Sequence, residues 1–404
     1  MSLYGHMTEI SIELRNTDGV FAPGQEVSGT VVLFLKSTVK ASSVLVSING
    51  EARTHWSGYT AKQRYISQSD ENVLHPSRTH SAVDATFADP IPYDAVTPYV
   101  NETSIVWSPP TDQANDEIHA GTHRFPFRFF LPSKCPHSFE GKFGFIRYYC
   151  MAKIEQSRFN GDKSTKTVLT VIPTSDLNRI PNANLPILTS QSKEIRTFFF
   201  KNGRITLTMK LNKRGFVTGE QVAITADVVN SSSHKIKNIR TKILKHSTFN
   251  AFRGGGTITP GKTNKSLYKN EDTKEVFKLE EKLAIDKGKS EKIMRTITIP
   301  EIAASFKNCP IIKVEYLLEM TLATAGPVGT SVSAQLPVVI GTIPTREITA
   351  IPQTFEQLPI PIYEDQWSNP PPSYDESMMQ RLISDNTISS FQSISSRSSG
   401  RESL

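Results

Sequence analysis

The sequence predicts an all-β chain: two tandem antiparallel β-sandwiches followed by a disordered C-terminal tail. Three observations carry this. Short runs of period-two alternation recur through the first 345 residues, the pattern of strands with one face on a core. A strand–turn–strand segment returns at a constant offset of 195 residues. Beyond residue 345 the alternation stops and Pro and Ser dominate, leaving too little apolar surface to offset the entropy of ordering a third core.

In chain order, Glu9–Leu14, Gly29–Leu35 and Val44–Ile48 alternate polar and apolar residues. Ser67 to Gly121 is long, polar and Pro-containing. It is expected to be a partly mobile loop holding a strand near Ile105. His123–Phe130, Phe145–Ile154 and Thr167–Ile172 then complete a first sandwich over residues 8–172. Pro173, Pro181 and Pro186, set among polar residues, mark a linker over 173–195. A second sandwich over 196–345 is expected from Ile205–Met209, Val222–Val229, Ile239–Leu244, Ile293–Ile299, Val314–Leu322 and Ser331–Ile340. The tail is 346–404. The repeat ties the halves together: Phe21-Ala22-Pro23-Gly24-Gln25-Glu26-Val27 returns as Phe216-Val217-Thr218-Gly219-Glu220-Gln221-Val222. In both copies Gly supplies the permissive φ of a turn between two strands. A polar hinge is expected after the second strand, at Lys36-Ser37-Thr38 and at Asn230-Ser231-Ser232.

Composition narrows the class. The 404 residues, 37% apolar and 21% charged, describe a soluble globular chain of two or three domains. No apolar run approaches the roughly 18 residues that span a bilayer, and the N-terminus lacks a signal-peptide layout. Cys135, Cys150 and Cys309 are odd in number and form no Cys-x-x-Cys, so reduced thiols in the cytoplasm are expected. The tail has four Arg, no Lys and eight acidic residues, a charge of −4, so of the total +7 the body carries +11. A basic body suits a negatively charged partner, anionic lipid headgroups or phosphorylated peptide, or is a solvated surface with no specific partner. Nucleic acid is not expected: no recognition helix, zinc spacing or aromatic–basic stacking motif is present.

Two motifs compete for the function. Pro370-Pro371-Pro372-Ser373-Tyr374 lies in the tail. Proline fixes φ near the polyproline II value, so Pro371 and Pro372 present a preformed rod with Tyr374 two residues beyond it, the Pro-Pro-x-Tyr form that WW domains bind in an aromatic groove. Ile360-Pro361-Ile362-Tyr363 reads as a degraded, weaker second copy in which Pro361 and Tyr363 remain. Gly256 to Thr263 satisfies the P-loop pattern, with Lys262 placed for phosphate oxygens and Thr263 for Mg²⁺. A P-loop must leave a parallel strand and open a helix, whereas Asn264 to Asn270 is polar and turn-like. A flexible inter-strand loop is therefore expected there. No nucleophile elbow appears, the histidines show no ligand spacing (His75/His80 and His119/His123 being the nearest clusters), and neither enzyme activity, cofactor nor metal is expected.

Gly121 to Phe129, Leu131-Pro132, Pro136 to Gly141 and Phe145 to Tyr149 resemble the late strands of an arrestin N-domain. Phe216 to Asn230 resembles the opening of an arrestin C-domain, and Ile311 to Tyr316 and Leu336 to Gly341 its closing strands. With the Pro-Pro-x-Tyr tail, which visual and β-arrestins lack, the chain is similar to the α-arrestins, the arrestin-domain-containing proteins. It departs from them at Thr218, where the family often has Pro, and in having one full Pro-Pro-x-Tyr. The resemblance implies an adaptor that joins cytoplasmic regions of membrane proteins to the WW domains of HECT-type ubiquitin ligases, promoting cargo ubiquitination, endocytosis and endosomal sorting. It implies a cytoplasmic protein peripherally associated with plasma membrane and endosomes. The rival expectation is a trafficking scaffold of the same fold that works without WW domains.

Overall fold

A computed structural model describes residues 8–58, 90–110, 117–156, 162–197, 200–258, 267–324 and 331–346. The first half contains β1 (Thr8–Leu14), β2 (Val20–Phe21), β3 (Glu26–Leu35), β4 (Val39–Gly58), β5 (Ile91–Trp107), β6 (Glu117–Ile118), β7 (Gly121–Phe130), β8 (Phe139–Gly141), β9 (Gly144–Gln156) and β10 (Lys163–Val171). A 3-10 turn, Leu177–Arg179, leads to β11 (Ile187–Thr197), β12 (Phe200–Leu211), β13 (Gly215–Val217), β14 (Gln221–Asn230), β15 (Ile236–Arg253), β16 (Tyr268–Ile285), β17 (Ser290–Thr298), β18 (Ile312–Thr324) and β19 (Ser331–Gly341).

The strands form two sandwiches. In the first, the sheet β1-β3-β7 faces β5-β4-β9-β10-β2; in the second, β11-β12-β14-β17 faces a sheet built on β13-β19-β18-β15, with β16 pairing β15. Nearly all ladders are antiparallel, so alternate residues enter the core, as the period of two requires. On β9, Ile146, Tyr148, Cys150, Ala152 and Ile154 are buried; on β18, Ile312, Val314, Tyr316, Leu318, Met320 and Leu322 are. Each of these strands carries a buried tyrosine that donates its hydroxyl to an upstream carbonyl: Tyr148 to Pro136 O at 2.6 Å, Tyr316 to Ala303 O at 2.8 Å. Burial pushes both phenols up, so they remain donors.

The sequence repeat is a geometric repeat. Gly24 and Gly219 both sit at φ +82°, the left-handed position that a type II turn places third. In each turn the fourth residue's amide bonds the first residue's carbonyl, Gln25 N to Ala22 O and Glu220 N to Val217 O, both at 3.1 Å. In each, the fourth side chain also returns to the first amide, Gln25 Oε1 accepting from Ala22 N at 2.8 Å and Glu220 Oε2 from Val217 N at 2.9 Å. The corner expected as a hinge at Asn230 is tied down instead. Asn230 is fully buried; its amide donates to His234 O at 2.9 Å and Asp286 O at 3.1 Å, while its Oδ1 accepts from Ser232 Oγ at 2.6 Å.

The strand expected near Ile105, within the tract from Ser67 to Gly121, is present and is far longer than a local element of a loop. Residues 90–107 deliver β5, seventeen residues long and central to the larger sheet. Its alternation is hidden because the β4–β5 register shifts at Val44/Leu45 and Gly50/Glu51, and Pro98 sits beside the second shift, where a missing amide does least harm. The expected linker also contains structure. Asp176 caps the 3-10 turn through Asn178 N at 3.0 Å, Thr342 N bonds Ser175 O at 2.8 Å, and Asn178 Oδ1 accepts from Arg346 N at 2.8 Å. Its last residues belong to β11, which pairs with β12 through a bulge at Glu194/Arg196.

Two stability measurements follow. Thr218 occupies the second position of its turn, the place proline prefers, and its neighbour Val217 is already in a strand. Thr218→Pro is expected to raise stability by about 0.5–1 kcal/mol in urea denaturation, by restricting the unfolded chain. Asn230→Ala, which strands buried carbonyls, is expected to lower it by about 2–3 kcal/mol; a loss below about 0.5 kcal/mol would contradict the tied-corner geometry.

Candidate functional site

The tail motif residues Pro371, Pro372 and Tyr374 and the weaker pair Pro361 and Tyr363 all lie outside the described residues. So do His75, His80, Lys262 and Thr263. The described part of the P-loop pattern is used for something else. Val96 N donates to Gly256 O at 3.0 Å and Ile258 N to Val96 O at 2.8 Å, making a parallel bridge between β5 and Thr257. Residues 256–258 therefore close a junction between sandwiches rather than open a helix. His123 donates from Nε2 to the His119 carbonyl at 2.8 Å and stacks on Phe125, so that pair is engaged with backbone. Among the described residues no group of His, Cys, Asp and Glu could hold a metal ion, and no helix is long and apolar enough to cross a membrane.

What the fold does assemble is a seam. β15 runs past its own sandwich to pair with β5 at Phe252↔Asp94 and Arg253↔Tyr93, joining the two larger sheets into one of twelve strands. Thr54 on β4, fully buried, donates to Asn250 O at 2.7 Å, while Asn250 N donates to Ile311 O at 2.8 Å and its side chain to Pro310 O at 3.2 Å. Around this, aromatic rings from both halves interlock. Phe143 meets Phe249 edge-on at 5.7 Å and Phe139 meets Phe306 at 5.4 Å, spacings at which ring edges and faces attract. Trp56 stacks on Tyr93 at 5.6 Å at the rim of this cluster.

His137 belongs to the same cluster, 7% exposed, with its ring edge-on to Phe306 at 4.6 Å. Burial, and to a lesser degree the Lys245 ammonium, hold its imidazole down at about 4. It is therefore neutral when folded and protonated below its ordinary value when unfolded. Burial also pushes Cys150 up to about 12 and raises Cys135 and Cys309. All three thiols are free and buried.

A second feature is a shallow hollow of about 620 Å³ on the outer face of β9 and β10. Arg147 lies 3.9 Å over the Phe145 ring and Lys166 3.4 Å over Tyr149, with Val168 70% exposed beside them. Arg147 also makes a bidentate pair with Glu140 at 2.6 and 3.0 Å. Such a face offers cationic heads and flat apolar area without a reactive group, the equipment of a peptide-binding surface. The alternation that revealed β9 also placed Phe145, Arg147 and Tyr149 on one face. Their partnership with Lys166 required the β9–β10 register, in which Lys166 lies opposite Met151.

The neutral His137 yields a signed pH prediction. Above about pH 6.5 it costs nothing; as pH falls toward 4 the unfolded chain takes up a proton that the folded seam refuses. Wild-type stability should therefore fall between pH 6.5 and 4 by on the order of 3 kcal/mol more than that of His137→Phe. Parallel stability curves in that window would show that the imidazole is not held neutral.

Comparison with known proteins matches two family models, the arrestin (or S-antigen) N-terminal domain over residues 10–178 and the arrestin C-terminal domain over 201–345. The chain is 27% identical over 349 residues to arrestin domain-containing protein 17 of Caenorhabditis elegans, covering 84% of this chain and 71% of that one. It is 28% identical over 340 residues to human arrestin domain-containing protein 4, covering 81% and 69%. Mouse arrestin domain-containing protein 1 is 33% identical over 136 residues, 34% of this chain and 31% of its own.

Proposed function

Because the chain belongs to the arrestin family, in its α-arrestin branch, we propose that it is a non-enzymatic adaptor linking membrane-protein cargo to WW-containing HECT-type ubiquitin ligases. Membership itself supports a trafficking adaptor or scaffold role in general. The observation that carries the finer reading is Pro371-Pro372-Ser373-Tyr374, set behind the two family domains in a tail of opposite charge.

The division of labour follows from the chemistry of each part. The two-sandwich body is stiffened by its seam and presents broad sheet faces, among them the cationic–aromatic hollow at Arg147 and Lys166, suited to cytoplasmic segments of membrane proteins. Its +11 charge favours an anionic leaflet, which would place the protein at plasma and endosomal membranes. In the tail, Pro371 and Pro372 enter a WW groove with little entropy left to lose, and Tyr374 fills the adjoining slot. A single such contact is worth about −7 kcal/mol or less, in the micromolar range, so several WW domains in one ligase and confinement to a membrane raise the effective concentration. Pro361 and Tyr363 add a weaker second contact. The tail holds no lysine, so ubiquitin attached to the adaptor goes to the body.

Calorimetric titration of the peptide Asp365–Gln380 against a panel of WW domains tests this. Micromolar binding that drops at least 10-fold on Tyr374→Ala is expected, with a parallel loss of cargo ubiquitination in cells. Endosomal recruitment and cargo sorting unaffected by Tyr374→Ala would instead favour an arrestin-fold scaffold that works without WW domains.

A further inference from the structure

β17 is an outer strand of the second sandwich, with β14 on one side and no strand on the other among the described residues. The register fixes which of its backbone groups are spent. Asn230 N donates to Lys289 O and Ile299 N to Glu220 O, both at 2.9 Å, and the β14–β17 register between them runs without a bulge. In an antiparallel ladder the bonded pairs fall on every second residue, so the odd-numbered residues from Lys289 to Ile299 bond β14. The amides and carbonyls of Lys292, Met294 and Thr296 therefore point away from the sheet. Seven residues of such an edge, Lys292–Thr298, offer about 20 Å of template for another strand.

Exposed edges are normally defended, and three others among the described residues are. β7 carries Pro126. β16 has nine charged residues among its eighteen. β11 is broken by its bulge. β17 has fewer such devices: Lys292 stands on this edge, and Arg295 reaches sideways to donate from a terminal nitrogen to Met294 O at 2.9 Å while its Nε pairs with Glu281 on β16 at 2.7 Å. The rest of the edge is open, and Met294 is 69% exposed at its centre.

We propose that the β17 edge is a strand-addition site for an extended segment in which acidic and apolar residues alternate. The incoming strand would hydrogen-bond to the amides and carbonyls of Lys292 and Thr296 and to the amide of Met294, whose carbonyl Arg295 already holds. Its apolar residues would face the flank where Ile293 and Ile297 enter the core. Its acidic residues would fall on the outer face, beside Lys292 and near Lys287 and Lys289 at the strand's entry. Around these three lysines stand Glu291, Asp227 opposite Lys292 on β14 and already paired with Lys210, and Asp286 beside Lys287 and already paired with Lys235, while Arg295 is paired with Glu281, so the lysines remain in excess. Charge complementarity thus selects an acidic segment, and the strand direction remains free. This site is separate from the tail motif and stands without it.

The test uses the full-length chain and a fluorescein-labelled Glu-Val-Glu-Val-Glu-Val-Glu peptide followed by fluorescence anisotropy. Saturable binding is expected, at least 10-fold weaker after Met294→Pro, which removes an outward amide but none that bonds β14, and similarly weaker after Lys287→Glu/Lys289→Glu/Lys292→Glu. A peptide N-methylated at alternate amides should fail to bind. Hydrogen exchange on the wild-type chain supplies a reading independent of any variant's folding: the Lys292, Met294 and Thr296 amides should exchange fast alone and be protected by the peptide. Absence of binding, binding indifferent to Met294→Pro, or no protection of those amides would overturn the proposal. So would sedimentation showing that the chain dimerises through β17, with the dimer lost in Met294→Pro, because the occupant would then be a second copy.

Discussion

The backbone ladder between β5 and β15 is two residue pairs long, yet the arrangement of the body depends on it. A sandwich satisfies its own core and has no need of a neighbour. The two here become a single body because β15 continues beyond the strands that pack it, and its carbonyls and amides must then find partners elsewhere. β5 supplies them. The Thr54 hydroxyl on Asn250 O and the bridge at Thr257 extend the same accounting by a few residues, and the Phe139, Phe143, Phe249 and Phe306 rings exclude water from it. Removing water is what makes these few polar bonds expensive to break.

The same seam explains the titration behaviour of its buried groups. His137 is neutral and Lys245 has its affinity for a proton lowered because burial disfavours charge there, and the thiols are protonated for the same reason. A pocket that perturbs titration often marks catalysis. Here the perturbed groups are walled in by rings and by the backbone of both sandwiches, where they serve packing. The groups left exposed lie outside, on the Arg147–Lys166 face and along the β17 edge, where fixed positive charge stands beside flat rings or extended backbone. On the proposed function, recognition would be divided between the body and the tail motif, and parts joined in one chain gain affinity.

Much of this architecture was legible in the residues. Period-two alternation located β1, β3, β7, β9, β10, β12, β14, β15, β17, β18 and β19 because each has one buried and one exposed face. The offset repeat was legible down to chemistry: the glycines at φ +82° and the returning Gln25 and Glu220 side chains are local devices, written in four adjacent residues. β5 was legible only near Ile105, because its order comes from pairing with β4 and β15, its period is broken by two register shifts, and its sequence carries prolines and exposed polar residues. The Asn230 corner looked like a hinge because polar residues read as solvent-loving; its partners at Asp286 and His234 are brought there by the return of β16 into β17.

By itself, then, the sequence determined what depends on neighbours along the chain: strands with a two-residue period, turns that need glycine, a lysine-free tail with one Pro-Pro-x-Tyr motif, and through these the family. The tertiary structure decided what depends on neighbours in space. It made residues 256–258 a bridge to β5, set His137 in a dry seam, brought Lys166 over the Tyr149 ring, and, among the described residues, left one side of β17 unpaired. The physical reason is that backbone hydrogen bonds in sheets join residues far apart in sequence, so which edge closes and which stays open is settled only when the sheets assemble.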